Sequence, residues 1–196
     1  MARVKLIDPE KAEGRTKEVF ERVKSYYKMV PGLQKGLAHL PETTDALWTL
    51  SLITAGEGSI REELKRVFFA VTAHEVECEY CTAAHMLALL GKDWSQEECV
   101  EVVSGRPSPR LTDKENAAVD FARQVARRPA GVNDEMTDEV RAAGWTDAEI
   151  VEIVAAVALM RYTSTVASAL DVPLEPAMEG VGVSCGVPLE KLDQET

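Results

Sequence analysis

The sequence predicts an all-α chain, and three observations carry that reading. Ser or Thr followed three residues later by Glu occurs at Ser59/Glu62, Ser95/Glu98, Thr112/Glu115 and Thr146/Glu149. In such a pair the hydroxyl accepts from an orphan amide at a helix start and the Glu reaches back to the cap residue. Each pair leads into apolar residues at three- and four-residue intervals, such as Leu64, Val67, Phe68 and Val71, or Ala118, Val119, Ala122 and Val125. No β-branched run alternates with period two, and no Asn-Gly or Asp-Gly hairpin turn occurs.

Taken in order, a polar helix is expected over 9–28, with Gly14 weakening its start, and Pro31-Gly32 ends it before a short helical piece. Helices follow near 43–55, 60–76, 79–90, 95–104, 112–127, 134–143 and 147–170, the last with a break expected near Tyr162–Ser164. Gly56, Gly91, Gly105-Arg-Pro, Pro129-Ala-Gly and Gly144 punctuate them. From Asp171 onward Pro173, Pro176, Gly180, Gly182, Gly186 and Pro188 mark an irregular tail. The division is therefore one helical domain over 1–175 and a tail over 176–196. The capped helix beginning at Ile60 resembles the one beginning at Asp147. Either a duplicated helical unit or two independently buried helices produces that likeness.

The chain has 196 residues, enough to bury a real core, with 45% hydrophobic and 28% charged residues, as expected of a globular domain. Its net charge is −11, and no Lys/Arg block is long enough to track a phosphate backbone, so neither nucleic acid nor an anionic membrane is an expected partner. The opening MARVKLIDPE turns polar at once, so no leader is expected, and the apolar stretches read as too short to span a bilayer. Four cysteines make no disulfide scaffold at this size. A reducing cytoplasm is the expected setting, and a close Cys pair there points to redox or metal chemistry.

Residues 74–85, HEVECEYCTAAH, hold two of the four cysteines and two of the three histidines. Placed on one helix at about 100° per residue, His74, Cys78, Cys81 and His85 share a sector of about 60°. Cys78 and Cys81 lie one turn apart, and His85 lies one turn beyond Cys81. Thiol redox chemistry needs that arrangement. A free thiol, with a pKa of about 8.5, is mostly protonated at neutral pH, and the thiolate is the nucleophile. An imidazole can take the proton, and a helix N-terminus favours the charged sulfur. A second Cys captures the sulfenic acid that peroxide attack leaves.

Three other readings fit the same residues. Four zinc-type ligands are present, although ligands on one face of one helix cannot enclose an ion tetrahedrally. A thioredoxin-like site has the same Cys spacing but expects a preceding strand, and none is predicted. Buried cysteines also serve as small apolar residues beside a core His. His39, Cys99 and Cys185 carry no motif.

The segment CEYCTAAH at 78–85 resembles the C-x-x-C-x-x-x-H signature of the alkylhydroperoxidase D (AhpD)-like and carboxymuconolactone decarboxylase-like proteins, in particular their peroxidase-related branch. The resemblance extends to VPGLQKGLAHLPE at 30–42, LTDKENAAVDFARQVA at 111–126 and EVRAAGWTDAEIVEIVA at 139–155, and covers roughly 5–175. It implies an all-helical bundle that assembles as a trimer or hexamer. It implies Cys81 as the peroxide-attacking residue, Cys78 as the partner that closes the disulfide, and His85 as a proton acceptor for Cys81. The implied partners are a hydroperoxide or other small oxidant and a dithiol reductant, a lipoyl group or a thioredoxin-like protein. No cofactor and no metal is called for. The alternatives are a decarboxylase-like non-redox enzyme and a redox-sensing module without turnover. The family's relay Glu, twelve residues before the first Cys, is replaced here by Arg66. Arg66 favours thiolate or pairs with Glu62 at i−4. Glu75 is the local relay candidate, Glu62, Glu63 and Glu152 are further carboxylates to place, and His74 lies outside the signature.

Overall fold

The computed structural model describes residues 2–181. Among them are nine α-helices and no strand: α1 Gly14–Tyr27, α2 Gly32–Leu37, α3 Pro41–Gly56, α4 Glu62–Glu75, α5 Glu79–Leu90, α6 Gln96–Val103, α7 Asp113–Arg127, α8 Asp134–Ala142 and α9 Asp147–Leu170. The expected polar helix over 9–28 is two elements, a 3₁₀ turn at Pro9–Lys11 capped by Asp8, and then α1.

Helix α4 is the axis of the bundle. Its expected stripe of Leu64, Val67, Phe68 and Val71 widens to take in Ala70, Thr72 and Ala73, all fully buried, because α5, α7 and α9 pack around it. Burial of a side chain such as Leu64 or Phe68 stabilises by roughly 1.5–3 kcal/mol. Lys65 is buried on the same helix and is satisfied by donating to the Glu57 carbonyl and pairing with Glu152 at 3.3 Å.

Three of the four expected capping boxes are present, at Ser95/Glu98, Thr112/Glu115 and Thr146/Glu149. The fourth is not. Helix α4 starts after Arg61, and Glu62 turns to Arg66 and Lys92. Glu152 of α9 instead holds the turn before α4, accepting from the amides of Ser59 at 2.8 Å and Ile60 at 3.2 Å. Gly58 makes this possible. Its φ is +94°, and a Cβ there would lie 2.2 Å from the Glu152 carboxyl group. Thr146→Ala, at the start of α9, should lower the unfolding free energy by about 1 kcal/mol in a denaturant titration, the usual value of such a cap.

Helix α9 does not break at Tyr162–Ser164. Thr163 returns its hydroxyl to the carbonyls of Leu159 and Met160, and Thr165 to Arg161, so the hydroxyls are satisfied inside a continuous helix. Helix α9 is 24 residues long and contains an 18-residue span of mean hydropathy 1.5, long and apolar enough to cross a membrane by length and composition. Half of that span is buried in the bundle, where it packs against α4 and α7. The parallel with α4 ends at this point: α4 turns back into α5 after Glu75, whereas α9 runs on to Leu170.

Between α4 and α5 the chain leaves helical geometry. Glu77 adopts a left-handed φ of +57°, and the Cys78 amide reaches back to the Ala73 carbonyl at 2.9 Å. This is a Schellman-type ending with Glu in the place usually given to Gly. Cys78 is extended and caps α5. After α9, Glu175 accepts from the Gly32 amide at 2.6 Å and from the Tyr80 hydroxyl at 3.4 Å, which folds the segment up to Val181 back over α2 and α5. Residues 182–196, most of the expected tail and Cys185 with it, lie outside the described residues.

Candidate active site

The turn after α4 sets the chemistry of the cysteine pair. As the N-cap of α5, Cys78 accepts from the Cys81 amide at 3.4 Å and faces the positive end of the helix. Both residues are free thiols, and both are buried. The Cys78 thiol is lowered to about 6, chiefly because the Cys81 thiol donates to it. Burial opposes the shift, while Ser168, the Cys81 amide and Ser164 add to it. The Cys81 thiol is pushed well above its ordinary value by giving that hydrogen bond, by burial and by the charge of Cys78. The two sulfurs therefore share one proton at neutral pH.

Helix α9 places hydroxyls near the pair, Ser164 near both sulfurs, Ser168 near Cys78 and Thr163 near Cys81, and each favours the thiolate. Ser164 Oγ is buried without a partner of normal hydrogen-bond geometry. Its effect on the sulfurs is that of a nearby dipole more than of a formed bond. Sequence reasoning missed these three residues. Their signal is a cluster of hydroxyls in an otherwise apolar helix.

Cys81 and His85 open onto a cavity of about 340 Å³ that Cys78 does not line. His85 is half-buried, and its Nδ1 is shielded from water with no hydrogen-bond partner. Burial first, and then the charge of Arg66, lowers His85 to about 3. It is neutral at physiological pH, and the same burial and charge make it a weak base. Phe69 stacks at a tilt on the imidazole, with centroids 5.1 Å apart, and the Arg66 guanidinium lies 5.9 Å over the same Phe69 ring. At the outer wall Tyr26, Tyr27 and Trp48 meet edge to face at 5.0–5.5 Å.

The structure does not bring every expected residue to this cavity. Glu75, the relay candidate, is held by Arg123 and Arg127 of α7 and does not line it. His74 ends α4 on the far side of the left-handed turn. The single helical face drawn through 74–85 therefore does not exist, and both His74 ring nitrogens are buried without partners. Among the described residues no group of three or more His, Cys, Asp or Glu is placed to hold a metal ion. Glu63 accepts from the Trp94 indole at 2.7 Å. His39 bonds the Lys5 carbonyl at 2.8 Å. Burial raises Cys99 to about 11, an inert thiol. Arg66 pairs with Glu62 at 3.2 Å, as its i−4 spacing predicts, but it also lines the cavity.

Comparison with solved structures decides the fold. An AhpD-core, peroxidase-related protein of Ralstonia eutropha JMP134 superposes with a TM-score of 0.80 over 90% of this chain and 94% of the other, at 18% identity. The chain has the AhpD-like fold. A peroxidase-related protein of Silicibacter sp. TM1040 shares this AhpD-like architecture with a TM-score of 0.76 over 91% and 94% of the two chains, at 23% identity. The debrominase Bmp8 does so with a TM-score of 0.77 over 90% and 94%, at 19% identity. The AhpD-like fold thus carries more than one activity, and enzymes are among its members. No protein-family model matches the chain. In sequence, an uncharacterized protein of Escherichia coli K12, YnjA, is 26% identical over 99 residues. The match spans 50% of this chain and about half, 53%, of that relative.

The sulfur charge is directly measurable. Ultraviolet thiolate absorbance of the reduced protein should appear with a midpoint near pH 6, the value to which Cys78 is lowered. Because that shift is downward, the thiolate is present above the midpoint and lost below it. His85, neutral above about 3, should add no inflection between pH 5 and 8. A first thiolate appearing only near 8.5, the ordinary value, would remove the capping account of Cys78.

Proposed function

We propose that this chain is an AhpD-like thiol oxidoreductase that reduces organic hydroperoxides with the Cys78/Cys81 pair. The observation that carries the reading is a thiol pair at the start of α5 that opens, through Cys81 and the neutral His85, onto an apolar cavity.

Charge and access favour different sulfurs, and access decides. Cys78 holds the resting thiolate, but Cys81 lines the cavity. The proton shared between them moves to Cys78 as Cys81 meets substrate. The Cys81 sulfur then attacks the terminal oxygen of the hydroperoxide. The O–O bond breaks, the alkoxide takes a proton to leave as the alcohol, and Cys81 becomes a sulfenic acid. Cys78 attacks that sulfur, water leaves, and a disulfide forms. An external dithiol, a lipoyl group or a thioredoxin-like protein, returns two electrons and two protons.

A reducing cytoplasm suits this cycle. Assembly into a trimer or hexamer is part of the reading, supported by exposed Leu50 and Ile53 on α3 and Val151, Val154 and Tyr162 on α9. The test is consumption of an organic hydroperoxide with a supplied dithiol, followed by intact mass with and without reductant. A turnover-dependent loss of two hydrogens supports the reading. A reversible disulfide without peroxide consumption would make the chain a sensor, and activity that survives replacement of both cysteines would make it a decarboxylase-like enzyme.

A further inference from the structure

The cavity has a charge at one end that the thiol cycle does not use. Arg66 lines it, and its side chain is only 12% exposed. Its known partner is weakly placed. Glu62 takes Arg66 Nε at 3.4 Å and Nη2 at 3.2 Å through a single oxygen, and its own side chain is 48% exposed. Glu62 also serves Lys92 at 3.5 Å. Two cations thus share one solvated carboxylate, and the guanidinium keeps a net positive field toward the apolar interior. Water screens a partner on the outer side far more than one inside the cavity.

The other carboxylate on the cavity, Glu175, is already occupied. One of its oxygens takes the Gly32 amide and the Tyr80 hydroxyl. The lining also includes rings and aliphatic groups, Phe69, Tyr27, Trp48, Leu52 and Leu159, with the Tyr27 hydroxyl near the Arg66 guanidinium. A cavity of about 340 Å³ with edge-to-face rings at its wall has room for a ring-sized organic body.

We infer that the site takes an apolar, aromatic-sized substrate bearing an anionic group, a carboxylate or phenolate, which pairs with Arg66 while the reducible group faces Cys81. This names the substrate class of the site proposed above and rests on that reading for the identity of the site. A forked guanidinium matches a planar carboxylate, and a charge-assisted pair shielded from water is worth more than the exposed bridge to Glu62.

The experiment is binding to the reduced protein without turnover, read by tryptophan fluorescence and by calorimetry, with naphthoate and the neutral naphthylmethanol as probes. Wild type should bind the acid about tenfold or more tightly than the alcohol, the range expected of a hydrogen bond to a charged group. Arg66→Gln should abolish that preference while leaving the alcohol's affinity unchanged, which also reports an intact cavity. Arg66→Lys should retain part of the preference. Equal affinity of wild type for the two probes, or an acid preference that survives Arg66→Gln, overturns the inference and returns Arg66 to a surface ion pair. Because the assay needs no peroxide, acid binding without hydroperoxide turnover would sink the peroxidase reading and leave this one standing.

Discussion

Cys81→Ser should abolish the proposed dithiol-dependent hydroperoxide consumption, by about a thousandfold or more, and leave the helical content unchanged. The size of the loss follows from removing the proposed nucleophile itself, since among the described residues no other cysteine lines the cavity. The fold survives because Cys81 contributes a small buried side chain and the cap of α5 is made by Cys78. Cys78→Ser behaves differently. A serine oxygen at the N-cap still accepts the Cys81 amide, so α5 stays capped. A first oxidation of Cys81 still occurs, but no disulfide follows, and the sulfenic acid accumulates and over-oxidises. Single-turnover mass spectrometry separates the variants: oxygen added to Cys81 in Cys78→Ser, and no oxidation at position 81 in Cys81→Ser. Wild-type rates in Cys81→Ser would assign the attack to Cys78.

Glu75→Ala produces the largest loss of stability expected of a single polar substitution here. Glu75 is 8% exposed and lies between Arg123, itself 7% exposed, and Arg127. Arg123 also donates to the carbonyls of Val102 at 2.8 Å and Val103 at 3.1 Å, which ties the end of α6 to α7. Removing the carboxylate strands a buried guanidinium, which costs about 3–5 kcal/mol. For a chain of this size that corresponds to a fall in Tm of roughly 10 °C in a thermal melt. Glu75→Gln, which keeps the acceptor and loses the charge, should fall between. Below the melting range the Glu75 variants should retain the hydroperoxide rate per folded molecule. A lost rate with unchanged stability would restore Glu75 to the proton relay.

The contrast between Cys81 and Glu75 shows what could be read from the chain alone. Glu75 stands one turn before Cys78, so helical spacing makes it a local candidate for the relay. The left-handed Glu77 turns that relation away, and Arg123, 48 residues later, claims the carboxylate. The angle computed for His74 failed for the same reason, because a helical wheel holds only while the helix does. Conversely, Thr163, Ser164 and Ser168 lie more than 80 residues from the thiols they polarise, a pairing no local pattern encodes.

The sequence alone determined the helical class, the order and nearly all the bounds of the helices, three capping boxes and the Cys-Cys-His spacing. These depend on residues within about one helical turn of each other, where propensity, capping and periodicity act. Tertiary structure decided the rest. It engaged Glu152 with the turn before α4, left Cys81 rather than Cys78 facing the cavity, engaged Glu75 with α7 and turned Arg66 toward the same cavity as His85. Each of these depends on which helix packs against which, and on burial that strengthens a charge or shields a nitrogen only once the bundle has closed.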